Sequence, residues 1–145
     1  MRAMVSAWIV WGLLSAGFAA LTAVFAKVGV EHVNPDAATL IRTLVILAVL
    51  TAMVSISGEL RSVANASGRT YLFLVLSGLA TGASWLCYFR ALSLADASRV
   101  APLDKLSVVL VAVFGVVFLG ERLSLVNWLG IAMIGAGAWL VTVRL

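Results

Sequence analysis

The sequence predicts an all-α integral membrane protein with five spanning helices. Two observations carry that prediction. Hydrophobic residues make up 63% of the 145 and charged residues only 11%, whereas soluble domains run nearer about 45–50% and about 25%. A soluble domain of this length could not bury so much apolar surface, and lipid is its natural solvent. Second, the apolar residues fall into five runs, each near the roughly 20 residues that a helix needs to cross a bilayer. The runs do not alternate polar and apolar as barrel strands do. They fill the chain, so a single membrane domain over residues 1–145 is expected.

The first run, residues 4–26, is uncharged. It follows Arg2 and superficially resembles a signal segment, but it exceeds the roughly 7–15 residues of a signal's apolar core and is read as a retained span. The second, residues 37–57, is interrupted only by Arg42 and is preceded by Asn34-Pro35-Asp36. That triplet is an N-cap, a proline at the first helical position and an acid in the first turn. Ser57-Gly58 can stop it. The polar stretch Val63–Arg69 reads as a flexible loop. The third run, residues 70–90, carries Gly78 and Gly82 in a GxxxG spacing. The fourth, residues 100–120, reads as one helix with Ser98 as candidate cap, Pro102 in its first turn and Gly120 as its stop. The fifth, residues 123–143, is uncharged and thinned by Gly130, Ala132, Ala136 and Gly137. Gly12, Ala16 and Ala20 make a matching ridge on the first helix. Small residues of this kind let membrane helices approach closely. Trp8, Trp11, Trp128 and Trp139 lie toward span ends, where indole rings anchor at the interface.

The net charge of +4 comes from dispersed basic residues. No basic stripe exists, which argues against nucleic acid as a partner. One cysteine, Cys87, allows no internal disulfide, and one histidine, His32, removes most metal sites. No Ser/His/Asp set and no phosphate loop is present, so neither an enzyme nor a cofactor is expected. Five spans put the termini on opposite sides. Arg2, Arg61, Arg69 and Arg122 fall on one side, and Lys27, Arg99 and Arg144 on the other. Arg42, Arg90 and Lys105 lie within or at the edge of helices near the second side. Loop Lys/Arg asymmetry normally sets orientation, and here it is weak. Such a chain can insert both ways up and pair with an inverted copy, making a ten-helix unit with the inverted symmetry of many secondary transporters. The competing expectation is one orientation set by weak cues.

The stretch YFRALSLADASRVAPL, a long helix ending FLGERLS and a Gly-rich last helix resemble the EamA domain of the drug/metabolite transporter superfamily. The resemblance covers nearly the whole chain and is strongest over Tyr88–Ser124. Most relatives carry two such five-helix domains in one chain, inverted relative to each other; this sequence has one and looks like the short, five-helix bacterial and archaeal branch. The resemblance implies a multi-pass protein of the inner (cytoplasmic) membrane and a cavity built from the first four helices. It also implies a peripheral fifth helix and transport of a small molecule by alternating access. One departure stands out: many relatives place a Glu-Pro pair at the level of Ser107 and Val108, and this chain has Asp104-Lys105 one turn earlier. The coupling mechanism of those relatives therefore does not carry over. Nor does the proton–drug exchange of the small four-helix exporters, since the first helix here has no carboxylate.

The expected site is a charged cluster. A charge at a helix centre costs roughly 2.5–3.5 kcal/mol by insertion scales, so Arg42, Asp104 and Lys105 should face the bundle interior, pair, or snorkel. In one reading Arg42, Arg90 and Lys105 form a basic vestibule for an anionic or zwitterionic solute. Asp104 then orients a cationic group or an arginine, and Trp85 and Tyr88 line the wall. In the other, Asp104 bridges to Arg42 or Arg90 to hold helices in register, and Lys27 and Lys105 snorkel. The functional expectation is a secondary transporter working as an antiparallel homodimer or with a related five-helix chain. The alternatives are a subunit of a heterodimeric lipid-linked carrier flippase and a non-transporting membrane accessory protein.

Overall fold

The computed structural model describes residues 2–143; Arg144, counted above in the charge balance, lies outside them. Among the described residues all regular structure is helical: α1 (Arg2–Val30), α2 (Pro35–Ile56), α3 (Leu60–Ala64), α4 (Gly68–Leu94), α5 (Ala97–Asp104), α6 (Ser107–Leu119) and α7 (Leu125–Thr142). Five stretches are long and apolar enough to cross a membrane: Ala7–Val30, Pro35–Ile56, Gly68–Leu94, Ala97–Leu119 and Leu125–Thr142. The five expected spans are all present, and their ends differ in informative ways.

Spans read as ending at a charge run on past it. The first helix continues through Lys27 to Val30, and the third through Arg90 to Leu94. A charged side chain near a helix end can reach a partner or the interface while its backbone stays hydrogen-bonded, so the charge does not mark the helix end. The stretch read as loop, Val63–Arg69, is partly helical: Val63 and Ala64 end the short helix α3 (Leu60–Ala64), and Gly68 and Arg69 begin α4. Tyr71 donates from its hydroxyl to the Val63 carbonyl and so ties this turn to the start of α4.

The fourth span departs most. It is two helices separated at Lys105–Leu106. Asp96 occupies the N-cap position of α5, so Ser98 lies inside the helix, and Pro102 sits in its interior and not in its first turn. Proline supplies no N–H and crowds the carbonyl four residues back. Just beyond it the ladder tightens to i→i−3 bonds, with Lys105 N–H on Pro102 O at 3.0 Å and Leu106 N–H on Leu103 O at 3.1 Å. Val108 on Lys105 and Val109 on Leu106, both at 3.0 Å, continue it. Such a stretch inside a spanning segment is a local 3₁₀ joint.

Punctuation elsewhere follows the sequence. Asn34 Oδ1 accepts from the Asp36 N–H at 2.9 Å, with Pro35 at the first helical position. Gly58 (φ 76°) ends α2 with paired bonds, Gly58 N–H to Ser55 O and Glu59 N–H to Val54 O, which is a Schellman cap. Gly120 (φ 69°) ends α6, and its N–H and that of Glu121 both close on the Gly115 carbonyl. Ser124 caps α7 by accepting from the Asn127 N–H.

The chain forms two compact units. One comprises residues 26–93, the other residues 1–25 and 94–145. In the first, the tightly packed residues are Ala26, Val30, Thr39, Phe89 and Leu92. They come from the end of α1, the start of α2 and the end of α4. In the second, α7 packs against both α5 and α6, around Ala23, Val100, Gly115 and Ala138. Gly135 eases the α6 contact, since a Cβ there would lie a tight 3.1 Å from Val109 Cγ2. Arg99 joins the start of α5 to the end of α7 by donating to the Thr142 carbonyl at 2.7 Å. Most large apolar side chains, Trp8, Trp11 and Trp139 among them, are exposed on the helix flanks, the surface a bilayer would cover.

Candidate functional site

The first unit gathers four of the charged residues at the end where α1 finishes, α2 begins and α4 finishes. Lys27 donates its ammonium to the Leu92 carbonyl at 2.9 Å. Leu92 is fully buried and lies in the last turn of α4, where the helix leaves carbonyls unsatisfied and favours a cation. Lys27 therefore has a structural task here. Arg90 forms a two-point pair with Asp36, Nε to Oδ1 at 3.0 Å and Nη2 to Oδ2 at 2.8 Å. The acid on Arg90 is thus Asp36, which the sequence offered only as a first-turn residue of α2. The pair is solvent-accessible, with side chains 62% and 48% exposed. Its planar two-point geometry links the start of α2 to the end of α4.

Arg42 is held differently. Its guanidinium carbon lies 4.0 Å from the centre of the Trp85 ring and 5.6 Å from that of Phe89. Trp85 and Phe89 are four residues apart and so share one face of α4. Arg42, Trp85 and Tyr88 are half-buried and Phe89 is 3% exposed. Among the described residues of this unit no carboxylate pairs with Arg42. A cation over an aromatic face gains about 0.5–2 kcal/mol depending on desolvation, less than the roughly 2.5–3.5 kcal/mol that a central charge costs in a span. The ring contact does not neutralise the guanidinium.

The second unit holds Asp104 and Lys105, paired at 3.2 Å. Adjacent positions in a regular helix point about 100° apart. The long lysine side chain spans that angle, with Lys105 in the cap position of α5. Lys105 also borders a groove of about 790 Å³ in this unit. Its walls are the small residues of α1 from Gly12 to Ala23, Ala101 and Pro102 of α5, and Met133 to Val141 of α7. The ridge read from the sequence is therefore one wall of an open apolar groove with a single charged group on its rim. Of the six residues the sequence singled out, Arg42, Trp85 and Tyr88 lie together on facing stretches of α2 and α4. Arg90 lies beside them on Asp36, and Asp104 and Lys105 form a separate pair at the joint. Asp36 and Phe89 were missed. The acid in the first turn of α2 was the available signal for Asp36, and the i, i+4 spacing from Trp85 was the signal for Phe89. No group of three or more potential metal ligands occurs among the described residues.

Five spanning helices, with charges held inside them and an interrupted fourth span, define a multi-pass membrane protein of the transporter class. The comparison with known families agrees. Residues 6–143 match the EamA-like transporter family, and the chain belongs to that family, within the drug/metabolite transporter superfamily. It is 66% identical over 140 residues to a Sinorhizobium protein named "Uncharacterized transporter in cobO 3'region", covering 97% of this chain and 99% of that one. It is 31% identical to an "Uncharacterized transporter" of Vibrio cholerae and 28% identical to "Uncharacterized transporter YxxF" of Bacillus subtilis. Each of these matches covers 94% of this chain, which spans 44% and 42% of the two longer proteins. No solved structure matches the chain.

Proposed function

We propose that the chain is one half of a secondary transporter that moves a small polar metabolite, anionic or zwitterionic, across the cytoplasmic membrane. Two copies inserted in opposite orientations make the working ten-helix unit, and the solute moves by alternating access. The task is carriage and not chemistry, and the partners are a second copy, the bilayer and the solute. The observation that carries this reading is Arg42, a guanidinium two turns into a spanning helix, stacked on Trp85 and without an acid of its own unit. A membrane scaffold has no use for such a charge, and intramembrane ionisable groups commonly mark solute pathways. The joint between α5 and α6 supports the same reading, because interrupted spans recur at transporter binding sites. The proportions of the relatives support the paired arrangement. The Sinorhizobium relative is matched over 99% of its length, and the two longer relatives are just over twice the matched segment.

A second reading, a subunit of a flippase for a lipid-linked carrier, is favoured by the apolar groove of about 790 Å³ with Lys105 on its rim, which suits an amphiphile. The experiment has two parts. Paired reporters at the C-terminus, one active only in the cytoplasm and one only outside it, should both give signal, and a signal from one alone would exclude the inverted homodimer. Purified protein in liposomes should then catalyse counterflow of a water-soluble anion with no second polypeptide. Movement of a fluorescent polyprenyl phosphate without such counterflow would favour the flippase.

A further inference from the structure

We infer that the in-plane edge of Arg42 binds the carboxylate of a small organic monoanion, and that the unit discriminates against zwitterionic amino acids. The inference rests on the carrier reading above and narrows its solute from anionic or zwitterionic to anionic. It follows from which groups in the unit of residues 26–93 are already engaged. The Arg42 guanidinium rests against the Trp85 and Phe89 rings, 4.0 and 5.6 Å from their centres. A guanidinium edge carries parallel N–H donors whose spacing matches the two oxygens of a carboxylate, and the ring contacts restrict where the group can swing before any ligand arrives.

A zwitterion would need a second group, an acid for its ammonium. Asp36 is the one carboxylate in the spanning helices of this unit, and both of its oxygens are taken by Arg90. The other acids of the unit, Glu31 and Glu59, lie outside the helices, and Glu59 accepts from the Ser62 hydroxyl at 2.7 Å. The unit thus offers a solute one oriented cation and no uncommitted anion inside the membrane. Depth argues against a lipid phosphate as the natural occupant. Arg42 is seven residues into α2, about 10 Å along the axis at 1.5 Å per residue, which is below the headgroup layer when the helix start lies at the interface.

The test uses the full chain, purified into phosphatidylcholine nanodiscs, with radiolabelled benzoate as the probe and equilibrium binding as the readout. Benzoate should bind saturably, and phenylalanine should displace it at least about tenfold less well than unlabelled benzoate, as expected where a buried ammonium finds no partner. Arg42→Lys keeps the charge but loses the planar fork, and should weaken binding about tenfold. Arg42→Gln should abolish it. Trp85 is a positioning residue: Trp85→Phe should keep binding and Trp85→Leu should weaken it although the cation remains. Elution as a single species confirms that each variant is folded. Absence of saturable benzoate binding, equal displacement by phenylalanine, or unchanged binding in Arg42→Gln would each overturn the inference. Loss of benzoate binding when phosphatidylglycerol is added would assign the site to a headgroup and overturn it equally. Because equilibrium binding needs neither turnover nor dual orientation, binding without counterflow would defeat the carrier reading and leave the anion site standing.

Discussion

At the residue scale we separate cations that hold helices from the one cation, Arg42, that we propose binds a solute. Lys27, on the buried Leu92 carbonyl, belongs to the first kind. Lys27→Met should cost about 1–3 kcal/mol, because it removes a donor from a buried acceptor; thermal unfolding in lipid nanodiscs measures it. Arg42, resting on rings, belongs to the second kind, and its removal should affect solute binding more than folding. The two left-handed glycines make a sharper prediction. Gly120 has φ 69°, where a Cβ meets the carbonyl at a cost of about 1–2 kcal/mol. Gly120→Ala should lower the unfolding midpoint, whereas Gly130→Ala, in helical backbone with nothing within 4 Å of the added Cβ, should be neutral or stabilising by up to about 1 kcal/mol.

At the element scale the interrupted fourth span is the feature to test. The i→i−3 bonds from Lys105 to Val109 are weaker in geometry than the regular ladder, so hydrogen exchange in lipid should be faster there than in the middle of α2. Pro102→Ala restores an N–H that can reach the Ser98 carbonyl and removes the ring crowding. Exchange at residues 102–109 should slow and the unfolding midpoint should rise. A fall in counterflow in the same variant would tie the joint to transport, while unchanged counterflow would make it a packing feature. α7 relies on its neighbours for its end: Arg99→Ala deletes the donor on Thr142 O and should speed exchange in the last turn of α7 without altering the ends of α2 or α4.

At the scale of the whole molecule the question is pairing. If Arg2, Arg61, Arg69 and Arg122 fall on one side and nearly as many cations on the other, as five spans imply, a few added charges should decide orientation. Three lysines inserted in the Val63–Arg69 turn should drive the chain one way up, and three placed after His32 the other way. Each variant alone should lose counterflow, and co-expression of the two should restore it. Activity in a singly oriented variant would show that the inverted pair is not the working unit. The spans themselves were legible in the sequence, because lipid demands about 20 apolar residues whatever their order. Their ends were less so, since the runs were cut at Lys27 and Arg90, whose side chains found partners without interrupting the backbone. The candidate site was half legible: a charge in an apolar run is visible, but its partner is not. Asp36 and Arg90 are 54 positions apart, and only packing brings α2 against the end of α4.

The amino-acid order alone determined the solvent, the number of spans, the caps at Asn34, Gly58 and Gly120, and the family, because each depends on local composition or on short-range backbone chemistry. Tertiary structure decided which cation met which partner. It gave Arg90 its acid, put Lys27 on a carbonyl and laid Arg42 on Trp85. Those outcomes depend on where helices far apart in sequence come together. A run of apolar residues does not constrain that, because in lipid every outward face is equally soluble and only close packing selects the neighbours.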